Sequence, residues 1–242
     1  MNKFSLTGKT ILVTGASSGI GRAIAIACSE AGASVVLNGR NVVRLNESLS
    51  QMSGEGHIII PADLTDVEQR MALVEQVPEL DGLVQCAGVM NRVPCKSIEQ
   101  EDIDYVFVPN VEAPILLQAE LLRERKIKKC ASIVYMASIA PRSAETGNAL
   151  YSASKAAIIA YAKCLSLELA PRQIRVNCIS PAMVWTDLAL NGATKEELEQ
   201  DQATYPLKRY GKQEDVANAA VYLLSNASSW MTGSNVEITG GK

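Results

Sequence analysis

The chain has 242 residues, 48% of them hydrophobic and 20% charged, enough to bury a large core and far from the disordered class. A formal charge of -3 argues against a nucleic-acid or anionic-membrane surface. The polar start MNKFSLTGKT and the lack of a run of ~18 apolar residues predict no leader and no membrane span, hence a cytoplasmic protein. Six cysteines (Cys28, Cys86, Cys95, Cys130, Cys164, Cys178) lie far apart without a CxxC pair, and they read as reduced, mostly small core residues. His57 is the one histidine and has no clustered Cys or His, so no metal site is expected.

Short apolar runs alternate with amphipathic ones along the whole chain. That order predicts an α/β fold of the Rossmann type, a doubly wound seven-stranded parallel sheet with helices on both faces and one domain over 1–242. The expected strands are Thr10–Val13, Ser34–Leu37, Ile58–Ile60, Gly82–Val84, Ser132–Met136, Ile174–Ile179 and Asn235–Thr239. Helical periodicity covers Ile20–Glu30, Val42–Met52, Asp66–Gln76, Ile103–Ile127, Tyr151–Leu169 and Gln213–Leu224. Pro109 and Pro114 should break or kink the fourth helix. The polar, helix-prone stretch after the sixth strand reads equally well as a solvated surface helix or as a lid over a site at the strand ends, at about 187–206.

The first strand runs into Thr14-Gly15-Ala16-Ser17-Ser18-Gly19-Ile20-Gly21 and a helix follows at once. Glycines let the backbone turn sharply and approach a pyrophosphate, and the free N–H groups of the helix start face the anion. The second strand ends in Leu37-Asn38-Gly39-Arg40, with no acid for a ribose 2'-hydroxyl and an arginine fork suited to a 2'-phosphate. Tyr151 and Lys155 stand at i and i+4 on one helix face, where a fixed cation would favour phenolate and draw the tyrosine toward the working pH.

Together, the TGxxxGxG spacing, Asn110, Ser138 and the YSASK run resemble the single-domain short-chain dehydrogenase/reductases, and most of all their 3-oxoacyl-[acyl carrier protein] reductase-like members. The resemblance covers essentially the whole chain, down to the TGSNVEITGG ending. It implies an NADP(H)-dependent oxidoreductase that reduces a ketone to a secondary alcohol, with NADP(H) preferred over NAD(H). In that reading Tyr151 donates the proton and Ser138 bonds the same oxygen. Lys155 lowers the tyrosine pKa and binds the nicotinamide ribose, and Asn110 holds a water that links Lys155 to solvent. Gly15, Ser17, Ser18, Gly19, Ile20, Gly21 and Arg40 would contact the phosphates. Asp63 and Leu64 resemble the adenine-contacting pair, though Asp63 or Thr65 is equally suited to cap the next helix. Ala87, Gly88, Pro181, Val184 and Thr186 would border the nicotinamide.

Two departures stand out: Gln85-Cys86-Ala87-Gly88 replaces the usual NNAG, and Ala182 replaces a glycine after Pro181. Lys128, Lys129 and Arg172 read either as helix-end cations that complement the dipole or as a face for an acidic carrier holding the substrate. Met183, Trp185, Val89, Met90 and Tyr205 could line the substrate pocket or pack in the core. The resemblance further implies a homotetramer built through the helices at 103–127 and 151–169 and through the last strand. A non-catalytic cofactor-binding protein, a sugar or polyol dehydrogenase and a sugar-nucleotide epimerase are the competing readings.

Overall fold

The computed structural model describes residues 2–186 and 194–242. Its seven strands are β1 (Thr10–Val13), β2 (Ser34–Gly39), β3 (Ile58–Pro61), β4 (Leu80–Gln85), β5 (Ile127–Met136), β6 (Arg175–Pro181) and β7 (Asn235–Ile238). They form one sheet in the order β3-β2-β1-β4-β5-β6-β7, and every pairing is parallel. Chain order reverses between β1 and β4, which opens a crevice at the carboxyl ends of these strands, where open α/β sheets bind ligands.

Alternation along the strands divides the core. Leu12, Val36, Leu83, Ile133 and Val176 face one layer of helices, and Ile11, Val13, Val35, Leu37, Val84, Val134 and Ile179 face the other. The first layer contains α3 (Val67–Gln76), α4 (Gln100–Phe107), α5 (Ala113–Arg123) and α7 (Ala149–Leu169). α1 (Gly19–Glu30), α2 (Val42–Leu49) and α9 (Gln213–Leu224) lie on the second, α1 packed closely on α9. Two further helices, the short α6 (Ala140–Ser143) and α8 (Lys195–Thr204), stand near the carboxyl ends of the strands.

The expected long helix at 103–127 is two helices joined by a π turn at Val108–Glu112. Pro109 has no N–H to give to the preceding turn, so the chain widens and the Ala113 N–H reaches back to the Val108 carbonyl. The helix then ends at Arg123, and β5 begins at Ile127, five residues earlier than the apolar run indicates. Lys128 and Lys129 therefore lie in β5 rather than at a helix end, and the Lys128 ammonium is 3.0 Å from the Asp81 carboxylate. With Arg172, which follows α7, they occupy the amino-terminal pole of the sheet, opposite the crevice.

All six cysteines are free, but only Cys28 and Cys178 are core residues; Cys95, Cys130 and Cys164 are exposed. His57 accepts from the Val35 N–H and also meets the Ser53 carbonyl, so its ring ties β2 to the loop before β3. Asp66, not Asp63 or Thr65, caps α3, accepting the Gln69 N–H at 3.0 Å. The expected lid is divided: 187–193 lie outside the described residues, and the rest is α8 with the turn after it. None of the described helices is long and apolar enough to cross a membrane.

Candidate active site

The loop after β1 is shaped by close approaches. Gly15 has φ 69°, and an added Cβ would sit 3.0 Å from the Ala87 backbone; on Gly21 it would be 2.2 Å from the Gly15 carbonyl. No other residue fits there. Buried Thr14 accepts the Cys86 and Ala87 N–H groups on its hydroxyl, at 3.0 and 3.1 Å, and so joins the end of β1 to that of β4. Ser18 enters α1 in extended conformation and makes no side-chain cap, which leaves the first helix N–H groups facing the crevice. Arg22 donates to the Ser17 carbonyl at 2.6 Å and to Ser48 Oγ at 2.9 Å, while Ser48 donates to the Ala16 carbonyl at 2.7 Å. The loop is thus tied to α2.

Beside it lies a polar hollow of ≈ 680 Å³ bordered by Ser17, Ser18, Arg40, Asn41 and Arg44. The Arg40 guanidinium is three-quarters exposed and 3.5 Å from the Asp63 carboxylate. Burial works against the charge on Asp63, but bonds from the Thr65 N–H and hydroxyl and the nearby Arg40 cation hold its carboxyl below the usual range. Leu64 is buried, and its carbonyl accepts from Arg70 at 2.8 Å. Ile20 packs partly buried against the core under the loop.

The second half of the site is built from β4, β5, the π turn and α7. Lys155 is 6% exposed, donates from Nζ to the Met136 carbonyl at 2.9 Å, and lies 5.6 Å from the centre of the Tyr151 ring. Desolvation brings its pKa down to about 8, opposed by the Cys86 and Cys178 thiols. Burial pushes the Tyr151 phenol up, and a hydrogen bond with Ser138 only partly offsets this. The net shift of the phenol is therefore upward rather than the expected lowering, with the Lys155 ammonium bonded to a strand carbonyl and itself desolvated.

Asn110 is buried in the π turn; its Oδ1 accepts the Val89 N–H at 2.8 Å, and its Nδ2 donates to the Val89 carbonyl at 2.9 Å and to Ser154 Oγ at 3.1 Å. The turn displaces this side chain off the helical face, toward the end of β4. Gly88 passes so close that an added Cβ would meet Asn110 Oδ1 at 2.9 Å and Lys155 Nζ at 3.5 Å. Ser138 follows β5 and accepts the Ala140 N–H at 3.1 Å. Pro181 ends β6, Val184 is buried and bridges Gly211, and the Thr186 methyl lies 3.5 Å from where a Cβ added to Gly19 would stand. Phosphate loop, proton-active cluster and the 181–186 segment therefore meet around one crevice.

The family model described as Enoyl-(Acyl carrier protein) reductase matches residues 15–242. The 3-oxoacyl-[acyl-carrier-protein] reductase FabG of Rickettsia felis is 36% identical over 238 residues, covering 98% of this chain and 97% of the relative. The chain belongs to the short-chain dehydrogenase/reductase family. L-xylulose reductase of Caenorhabditis elegans is 35% identical over 246 residues, covering 98% of this chain and 97% of that one. A solved structure from Beutenbergia cavernae, a candidate NAD(P) dependent gluconate 5-dehydrogenase with bound NADP at low occupancy, superposes with TM-score 0.90 at 31% identity, covering 99% of this chain and 98% of that one. Short-chain dehydrogenase/reductases are nicotinamide-dependent oxidoreductases, and this chain is one.

The residues present fit such a cofactor: the close-packed glycines, the uncapped start of α1 and the arginine-lined hollow form one continuous cradle for an anionic dinucleotide. The two departures from the family pattern differ in how they are accommodated, since the Gln85 side-chain oxygen is buried without a hydrogen-bond partner. Its amide donates to the Pro114 carbonyl at 2.9 Å and so anchors β4 to α5. Ala182 packs with Met183 against buried Leu198, Tyr205 and Tyr210, so its methyl fills space that a glycine would leave.

Several residues that support the site lie beyond those expected from its motifs. Thr14 and Arg22 lie within or beside the glycine motif and were readable as its supports. Arg70 shares a helical face with Leu73, Val74 and Val77, a core position that a cation takes only when paired. Its partner is Glu120 on α5, at 2.9 Å, with both side chains nearly inaccessible.

Proposed function

We propose that this oxidoreductase reduces a ketone to a secondary alcohol with NADP(H), reversibly, with Tyr151 as the proton donor. The observation that carries the reading is the cluster of buried Lys155 and Asn110 with half-buried Tyr151 at the ends of β4 and β5, Tyr151 hydrogen-bonded to Ser138. When bound, the nicotinamide supplies the hydride. Gly15 to Gly21 and Arg40 would hold its phosphates, Asp63 and Leu64 the adenine, and Ala87, Gly88, Pro181, Val184 and Thr186 the nicotinamide end.

A high phenol pKa suits reduction, because Tyr151 stays protonated at neutral pH and can give its proton to the oxygen as negative charge develops there. Ser138 stabilises the same charge by a hydrogen bond. Lys155, already near 8, holds a proton that is easily moved, and Asn110 fixes the end of β4 around it. In this reading Lys155 exchanges the Met136 carbonyl for the ribose hydroxyls when the cofactor binds.

Two substrate classes are supported. The FabG relative favours a 3-oxoacyl thioester. The xylulose reductase and gluconate dehydrogenase relatives favour a sugar or polyol, a class that the polar Arg92–Glu145 pair, 2.7 Å apart on the loops after β4 and β5, would suit. We further propose a cytoplasmic homotetramer in which a partner covers the apolar hollow of ≈ 390 Å³ between α7 and β7, lined by Pro141, Ile159, Ala160 and Gly233.

The test is spectrophotometric oxidation of NADPH and of NADH over acetoacetyl and crotonyl thioesters, ketoses, ketogluconates and simple diketones. Ketone-dependent oxidation, faster with NADPH, is expected. Oxidation only with crotonyl thioester would replace carbonyl with alkene reduction, and none at all would favour a non-catalytic cofactor binder.

A further inference from the structure

We propose that Lys242 is a latch that holds α8 against the nicotinamide-bordering segment Ala182–Thr186 and thereby sets how tightly the site binds cofactor. Its ammonium is 3.1 Å from Asp201 Oδ1 and 3.2 Å from Thr204 Oγ1, both on α8, and stands 4.3 Å from the centre of the Tyr205 ring. Asp201 uses its other oxygen to accept the Tyr210 hydroxyl at 2.8 Å. Tyr205 and Tyr210 are buried edge to face, 5.2 Å between ring centres, and Tyr210 repeats that contact with Trp185 at 5.2 Å. The Met183 N–H reaches the Tyr205 hydroxyl. One chain of contacts thus runs from Lys242 through α8 and two tyrosines to the backbone at 183–185.

The same residue is held from the catalytic side. Arg142, on α6 just after Ser138, donates to the Lys242 carbonyl at 3.0 Å and makes two bonds to the Glu237 carboxylate on β7. Gly241 lies so near Pro206 that an added Cβ would be 2.9 Å from its ring, and the Leu207 N–H bonds the Gly240 carbonyl. The backbone of Lys242 is therefore fixed to the Ser138 side while its side chain grips α8.

α8 needs such a grip. Only Leu198 is buried on it, and its apolar contacts amount to a small cluster separate from the two main cores. Elements with few buried contacts open at low cost. A half-exposed ion pair and one cation–π contact bias that opening modestly, which is the range a binding segment can use.

The test exploits the two tryptophans. In a Trp230→Phe background, which removes a fully exposed ring, emission reports Trp185 alone. Lys242→Ala should red-shift that emission and raise its quenching by acrylamide about twofold, with helix content unchanged. Asp201→Asn should act alike, Lys242→Arg should restore the parent signal, and salt at about 0.5 M should mimic the loss. NADPH KM should rise about fivefold with kcat within a factor of about two. That kinetic arm rests on the proposed activity; the fluorescence arm needs no substrate and separates the two failures. Unchanged Trp185 emission and quenching in Lys242→Ala, or a loss that Lys242→Arg does not repair, would overturn the latch.

Discussion

Lys155 and Lys242 carry the same ammonium in opposite surroundings. Lys155 is buried at the strand ends, faces one carbonyl, and has lost enough hydration for its pKa to fall to about 8. Lys242 is half exposed, faces a carboxylate, a hydroxyl and a ring, and keeps much of its hydration. A desolvated charge costs stability and gains a mobile proton; a solvated one costs little and acts as a weak tether. The difference teaches where each proposed kind of control would sit: chemistry at the end of β5, occupancy at the rim.

Removing the phenol tests the centre most severely. Tyr151→Phe should lower turnover by about 10³-fold or more while cofactor still binds, as read by steady-state rates and NADPH fluorescence titration. Retention of most of the rate would place the proton donor elsewhere. Next comes a buried charge that carries no chemistry. Arg70→Met strands Glu120 in the interior and cuts the bond to the Leu64 carbonyl, so urea unfolding should show a loss of about 3–5 kcal/mol. Adding Glu120→Leu should recover most of it, since two apolar side chains leave no stranded charge. Truncating the exposed Lys195–Glu199 pair on α8 should change stability by only about 0.3–0.5 kcal/mol.

Lys155 itself offers a pH-resolved version of the contrast. Its pKa is about 8 in the fold against 10.5 in the unfolded chain, so below pH 8 both states hold the proton and the fold bears the whole desolvation cost. Between these values only the unfolded chain binds the proton, and the cost fades as pH rises. Lys155→Met should abolish turnover yet stabilise the cofactor-free protein by about 2 kcal/mol at neutral pH, partly offset by the Met136 carbonyl left unpaired. Calorimetry should show the gain shrinking as pH climbs from about 8 toward 10.5. A variant less stable than the parent at pH 7 would mean that the ammonium is well solvated or well paired where it lies.

Much of the architecture behind this contrast is legible in the sequence. All seven strands followed from short branched runs, because a parallel sheet buried on both faces admits little else. TGxxxGxG and YxxxK were readable because they are local: loop and helix geometry bring those residues together whatever the rest of the chain does. What stayed hidden is long-range. Nothing near Pro109 says that the turn becomes a π turn and delivers Asn110 to Val89, and nothing near Arg70 names Glu120, 50 residues away. Lys242 meets Asp201 only because β7 runs beside β6 and returns the chain to α8. The surroundings of Lys155 are hidden for a related reason: i, i+4 spacing gives proximity to Tyr151, but the carbonyl that takes the Lys155 ammonium comes from β5.

Arg40 is the smallest and most selective probe, because by exposure it belongs with the rim and by proposed role with the site. Its pairing with Asp63 at 3.5 Å is largely solvated, so Arg40→Ala should change stability by less than about 0.5 kcal/mol. A bound 2'-phosphate would alter the balance, bringing a dianion against the guanidinium and the start of α2, where a bidentate bond is worth more than a solvated ion pair. NADPH KM should then rise about tenfold in Arg40→Ala while NADH KM stays within a factor of about two. Arg44 borders the same hollow, so the double variant should extend the loss for NADPH alone. If both cofactors weaken equally, Arg40 acts on the adenine side through Asp63, and the hollow beside the glycine loop does not select the phosphate.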